Sequence, residues 1–239
     1  IDLSHLNRHI TNHTFSMNTL DKTLKLISRD SWLTKIDLSS AYHHIPIFKT
    51  HRKFLRFSCQ GNTYQYRVLP FGLSSAPRLF TKIMRTVMAQ VHKLGIIASD
   101  YIDDLLVISH SKLEAIKNTK IVLSLLQRLG FSINFKKSSL IPSHSVEYLG
   151  FTVNSRDMRL YITQKKVNRI RHSISSFLKK DSSTLRVTAR LLGKLQHVGS
   201  GTFADRVLTR ALLRFKNSLL KRGDWHSNPS STIPSDTRS

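Results

Sequence analysis

The chain has 239 residues, 40% of them hydrophobic, with 38 Lys and Arg against 14 Asp and Glu. That is apolar enough for a packed core, and the formal charge of +24 calls for a polyanionic partner, of which nucleic acid is the commonest. The single cysteine, Cys59, excludes an internal disulfide and a thiolate metal site and fits an intracellular protein, and no run reaches the length of a membrane-spanning helix.

Ile1-Asp2-Leu3-Ser4 is neither a starting Met nor a signal peptide, so the chain is expected to begin inside something larger or to have been cut there. Trp32 to Leu38 reads as a strand, followed by a helical or turn segment over Ser39 to His43. Phe54 to Phe57 and Tyr64 to Leu69 read as a hairpin around the turn signal Gln60-Gly61-Asn62. Ser74-Ser75-Ala76-Pro77 opens a helix, with a Ser as its cap. Its apolar face carries Phe80, Met84, Val87 and Val91, beside a basic stripe of Arg78, Lys82 and Arg85. Two apolar runs, Ile96 to Ala98 and Leu105 to Ile108, flank Asp103-Asp104 and suggest a buried hairpin with carboxylates at its tip. Ser111 and Glu114 have the spacing of a capping box for a helix that stops at Gly130. A strand pair over Val146 to Val153 follows, and from Thr163 to Arg222 the periodicity is purely helical. Trp225 to Ser239 is rich in Ser, Thr and Pro and is expected to be a disordered tail.

Three segments carry chemistry. Two adjacent carboxylates in an apolar hairpin, Asp103 and Asp104, would each have a raised pKa unless a hard cation such as Mg²⁺ neutralised them. Taken alone, an exposed Asp-Asp turn is an equally good reading. Asp37 ends a predicted strand, where a helix N-cap is the plain alternative. Leu69-Pro70-Phe71-Gly72-Leu73-Ser74-Ser75-Ala76-Pro77 leads into the basic helix and could be an ordinary helix entry.

In this order, Lys35 to Tyr42, Leu69 to Pro77 and Tyr101-Ile102-Asp103-Asp104 resemble motifs A, B and C of reverse transcriptases. Gly130-Phe131 with Lys136-Lys137 resembles motif D, and Glu147-Tyr148-Leu149-Gly150-Phe151 resembles motif E, the primer grip. Ile1 to Asn7 is similar to the strand leaving the fingers. The wording of the motif B segment is closest to retrotransposon enzymes, DIRS-like or gypsy-like. The resemblance implies an α+β right-hand polymerase palm with truncated fingers over 1–160, a helical thumb-like region over 161–224, and the tail over 225–239.

It also implies template-directed DNA synthesis by two-metal phosphoryl transfer, with two Mg²⁺ (or Mn²⁺) ions held by Asp37, Asp103 and Asp104. Lys137 is the expected proton donor to pyrophosphate, with Lys136 nearly as good. Leu38, Tyr42, Phe71 and Gly72 are expected at the nucleotide, and Tyr148, Leu149 and Gly150 at the primer. Tyr42, five residues after Asp37, would block a 2′-hydroxyl and so favour a DNA-making enzyme over an RNA polymerase. Arg78, Lys82, Arg206, Arg210 and Arg214 are expected on nucleic-acid phosphates. Between Thr163 and Arg222 there are 15 Lys and Arg and 2 acids, which strengthens that expectation. The expected partners are an RNA or DNA template, a DNA primer and deoxynucleoside triphosphates. A catalytically inactive or domesticated remnant that only binds nucleic acid is the competing expectation. Because the chain starts after the fingers residues that clamp the triphosphate in the family, this chain alone is expected to polymerise poorly or not at all.

Overall fold

The structure is a computed structural model that describes residues 2–11, 13–199, 209–225 and 227–237. It divides into two compact units, Ile1–Tyr161 and Ile162–Ser239.

The first unit is built on a four-stranded antiparallel sheet. Its elements are helices α1 (Ser4–Arg8) and α2 (Leu20–Leu24), strand β1 (Trp32–Asp37), hairpin β2 (Arg56–Cys59) and β3 (Asn62–Gln65), and helix α3 (Ala76–Lys93). Then come β4 (Ile97–Tyr101), β5 (Asp104–Ser109), α4 (Lys112–Arg128), β6 (Ser139–Ser143), β7 (Ser145–Tyr148), β8 (Phe151–Asn154) and β9 (Arg159–Ile162). The sheet order is β4-β5-β1-β6, and β7-β8-β9 form a second sheet.

The central strands are apolar on both faces, as strands buried on both sides must be. In β5, Leu105 and Val107 join one core cluster with Phe80, Met84 and Val91 of α3 and Val122 and Leu126 of α4. Leu106 and Ile108 alternate to the other face and meet Leu33, Val146, Tyr148 and Val153. Hydroxyl pairs tie the layers: Thr34 to Thr119 of α4 at 2.6 Å and Thr23 to Ser99 at 2.7 Å, both buried. Each of these four hydroxyls finds a partner, which burial requires.

Most elements read from sequence are present with shifted bounds, but the segment Ile1 to Asn7, likened to a strand, instead carries helix α1 over Ser4–Arg8. The hairpin turns at Gln60-Gly61, with φ of 50° and 77°, the left-handed pair that a tight two-residue loop needs. It pairs Arg56–Cys59 with Asn62–Gln65, and the run toward Leu69 leaves the ladder, keeping only a bridge from Val68 to Pro46. Helix α3 begins where expected, but Ser75 makes no side-chain cap. Asn7 instead holds the entry: its Oδ1 accepts from Ser74 N–H and its Nδ2 donates to Gly72 C=O, both at 2.8 Å.

The second unit contains α5 (Gln164–Leu178), β10 (Ser182–Thr184), α6 (Leu185–Gly199), α7 (Arg210–Arg222) and β11 (Ser230–Thr232). Its core joins Phe177, Leu185, Leu192, Leu212, Phe215, Leu219 and Ile233. The run expected to be purely helical is therefore interrupted by β10. The segment read as a disordered tail supplies β11, which pairs with β10, and Ile233, which is buried. Helical periodicity missed this because strands of three residues carry no period, and one apolar residue among Ser and Pro suffices to anchor the chain. Among the described residues, no helix is long and apolar enough to cross a membrane.

Candidate active site

Asp37 is the last residue of β1 and Asp104 the first of β5, and the two are direct cross-strand partners. Asp103 stands in the two-residue loop joining β4 to β5, and its C=O accepts from Leu38 N–H at 2.9 Å, one step beyond the ladder. Residues about 66 positions apart are thus brought to one end of one strand pair. Ile102, the first residue of that loop, has φ 54°. Hairpins ordinarily place Gly, Asn or Asp there, and a β-branched side chain at positive φ is strained. The strain sits beside the carboxylates, where local strain tends to be stored.

Burial, reinforced by repulsion from Asp104, raises the pKa of Asp37. Burial also raises that of Asp103, with Asp104 again contributing. Lys35 and Lys137 oppose both shifts. Lys35 Nζ lies 2.7 Å from Asp104 Oδ1, an ion pair without hydrogen-bond alignment. Among the described residues, no three His, Cys, Asp or Glu side chains are already closed around a metal-sized point.

The loop after α4 is docked onto Asp37 itself. Asp37 N–H donates to Ser138 Oγ at 2.9 Å, Asn134 N–H donates to Asp37 C=O at 2.8 Å, and Lys137 N–H donates back to Asn134 C=O at 3.2 Å. This anchoring brings the charge of Lys137 to bear on buried Asp37 and partly buried Asp103. The same docking commits the backbone donors just beyond Asp37. Leu38 N–H is bound to Asp103, and Ser39 N–H to Ser132 C=O at 2.8 Å. Leu38 therefore offers no free N–H to a ligand, and its side chain is buried.

Tyr42 is buried under this corner. Its ring meets Phe71 at 5.0 Å and the edge of Phe80 at 5.8 Å between centroids. Burial raises its phenol pKa, and Asp103 adds to the shift. Phe71 covers Tyr42 but is itself 54% exposed. Gly72 has φ 91°, with only Leu3 Cδ1, at 4.0 Å, near the place of a Cβ, so backbone conformation and not space calls for glycine.

The motif E turn divides. Tyr148 is fully buried, packed among Leu33, Leu106 and Val153, with burial pushing its phenol pKa upward. Its hydroxyl ends near the Thr23–Ser99 pair without an aligned hydrogen bond to any described residue. Leu149 and Gly150, both at positive φ, form the partly exposed tip. On α3, Arg78 is partly exposed and Lys82 exposed, while Arg85 donates to Ser16 C=O at 2.7 Å. On α7, Arg210 and Arg214 are exposed; Arg206 lies outside the described residues.

The family model described as reverse transcriptase (RNA-dependent DNA polymerase) matches residues 2–153, well over half of the chain and all of the carboxylate corner. The chain belongs to the reverse transcriptase family. Similar proteins include the Transposon Tf2-3 and Tf2-7 polyproteins of Schizosaccharomyces pombe, each 26% identical over 234 residues. These alignments cover 97% of this chain and 16% of the relative, so the chain spans about a sixth of the length of the curated relatives it matches. They support a retrotransposon reverse transcriptase without separating DIRS-like from gypsy-like elements. Among solved structures, the foamy viral protease-reverse transcriptase in complex with RNA/DNA hybrid aligns over 99% of this chain and 30% of its own, with TM-score 0.72 at 21% identity. A second foamy viral structure, in complex with ds DNA, aligns with TM-score 0.75 at 20% identity over 99% of this chain and 38% of its own. At that identity the likeness establishes the α+β polymerase fold.

Sequence reasoning overlooked three residues that build the corner. Lys35 entered only as part of the motif A segment and was given no role, yet two-residue spacing from Asp37 puts it on the same strand face. Asn7 and Ser138 carried no visible signal, because their partners are backbone groups far away in sequence.

Proposed function

We propose that this chain carries the polymerase centre of a retroelement reverse transcriptase, joining deoxynucleoside triphosphates to a DNA primer on an RNA or DNA template. The observation that supports this reading best is the convergence of Asp37, Asp103 and Asp104 at one end of the β1–β5 pair, at the edge of an apolar core. Neighbouring buried carboxylates repel each other unless a cation offsets them. Mg²⁺ fits an open set of this kind, since it takes one or two carboxylates and completes its shell with water and substrate phosphates. Asp37 and Asp103 would be its principal ligands, with Asp104 beside them. Two bound ions would lower the pKa of the primer 3′-hydroxyl and stabilise charge on the triphosphate.

The remaining roles belong to protein groups. Lys137, held by the Asn134 turn, is the residue suited to deliver a proton to departing pyrophosphate. The Tyr42 ring, backed by Phe71 and Phe80, forms a wall against a ribose 2′-hydroxyl. Gly72 and Phe71 border the nucleotide, and Leu149-Gly150 the primer end, with Tyr148 acting from beneath as support. Arg78 and Lys82, with Arg210 and Arg214 in the thumb-like unit, would neutralise phosphates.

Primer extension on RNA and on DNA templates with Mg²⁺ tests the proposal. Within its full-length protein the chain is expected to extend a primer, and Asp103→Asn to reduce extension by about a thousandfold or more while duplex binding persists. Extension undiminished in Asp103→Asn would remove the assigned role. Binding without extension by the unaltered full-length protein would favour the remnant reading.

A further inference from the structure

The ion pair between Lys35 and Asp104 sits inside the carboxylate corner. Lys35 and Asp37 lie on one face of β1, two residues apart, and Lys35 is paired in register with Leu106. Asp104, two residues before Leu106, is the diagonal neighbour of Lys35 on that face, a separation that a long side chain can cross. The contact is made, at 2.7 Å, with 14% and 20% of the two side chains exposed. Among the described residues, Asp37 and Asp103 make no such ion pair: what reaches them from Lys35 and Lys137 is charge at longer range.

We propose that Lys35 is a positioning residue that claims Asp104 as its counter-ion, leaving Asp37 and Asp103 as the carboxylates that take the divalent cation. Three adjacent acids at one strand end would otherwise carry three negative charges into a half-buried corner. Lys35 cancels one of them with a protein group, so the corner folds before a cation arrives. It also fixes the Asp104 carboxylate away from the cation, so the ligand pair is defined by the strand register and not by competition among three acids. This inference rests on the polymerase reading of the corner for the identity of the cation. The ion pair itself does not depend on that reading.

The test uses the full chain and Mn²⁺ as a paramagnetic probe, with free Mn²⁺ counted by electron paramagnetic resonance and metal-free thermal unfolding measured alongside. Lys35→Met with Asp104→Asn removes both charges together, a swap that buried pairs often tolerate without loss of stability. Mn²⁺ affinity in this double variant is expected to stay within about threefold of the unaltered chain, whereas Asp103→Asn should lower it by about tenfold or more. Lys35→Met alone should tighten Mn²⁺ binding, because freed Asp104 joins the corner and a repelling charge is gone. It should also lower the metal-free melting temperature, and this loss should disappear in the Asp104→Asn background, a coupling that the double-mutant cycle isolates. Lys35→Arg should restore both properties. A double variant that loses Mn²⁺ as severely as Asp103→Asn would make Asp104 a ligand and overturn the proposal. So would additive effects of the two substitutions on melting. Failure of the unaltered chain to bind Mn²⁺ would refute the cation seat itself, a result distinct from either.

Discussion

Asp37 and Asp103 are stabilised less in their charged form than an exposed carboxylate is, burial being the largest cause for each. A raised folded pKa means that their contribution to stability is present below the unfolded value, about 3.9, and is lost as pH rises through the folded value. Asp103→Asn should therefore raise the metal-free melting temperature near neutral pH by roughly 2–4 °C, and the gain should vanish toward pH 4. Added Mg²⁺ should stabilise the unaltered chain and leave the variant unmoved. Thermal scans at several pH values with and without Mg²⁺ check this. Tyr42→Ala should increase ribonucleotide use relative to deoxynucleotide use, read from single-nucleotide extension; an unchanged ratio would assign the ring to packing with Phe80 alone. At this scale the acids were legible because motif spacing names them, and Tyr42 because its offset from Asp37 is short. Lys35 was not legible, since its partner is set by strand register across β1 and β5, which no local pattern records.

Among the elements, α4 is the one whose sequence signal and structure agree most closely. Ser111 Oγ accepts from Glu114 N–H at 3.2 Å, and Glu114 Oε2 accepts from His110 N–H at 2.9 Å. Ser111→Ala should cost about 0.5–2 kcal/mol, measured by chemical denaturation, and leave extension little changed because the cap follows the far end of β5 from the acids. The entry to α3 is the opposite case. Two serines and a proline predicted its start, but its loop is held by Asn7, 65 residues before Gly72. Asn7→Ala removes two hydrogen bonds to that loop and should raise KM for the nucleotide more than it lowers kcat, with Asn7→Asp restoring only the bond to Ser74 N–H. The hairpin bounds slipped because Tyr64 to Leu69 is β-prone throughout, whereas pairing is cut off by the length of β2. Strands β10 and β11 were illegible because three-residue strands owe their existence to the core beneath Ile233.

Over the whole molecule, the charge of +24 predicts that nucleic-acid affinity falls steeply with salt. Arg210→Ala and Arg214→Ala should each reduce the slope of log K against log salt by about one, uniformly across sequences, if each side chain meets one phosphate. A slope unchanged in both would assign these exposed arginines to solvent. The division into two units followed from a change in periodicity near residue 160, a signal summed over many residues and so more robust than any strand bound. The central position of β1 has a different consequence, in the order of events during synthesis. Leu33 and Ile36 are fully buried, and among the described residues β1 pairs with β5 and β6, which begin at Asp104 and Ser139. At about 5–20 residues per second, a ribosome needs several seconds to add the residues between Asp37 and Ser109, during which β1 has emerged with no partner for either edge. The strand that carries Asp37 is therefore long exposed to aggregation in the nascent chain. A ribosome-stalled chain ending near residue 100 should recruit holdase chaperones more strongly than one extended past β6.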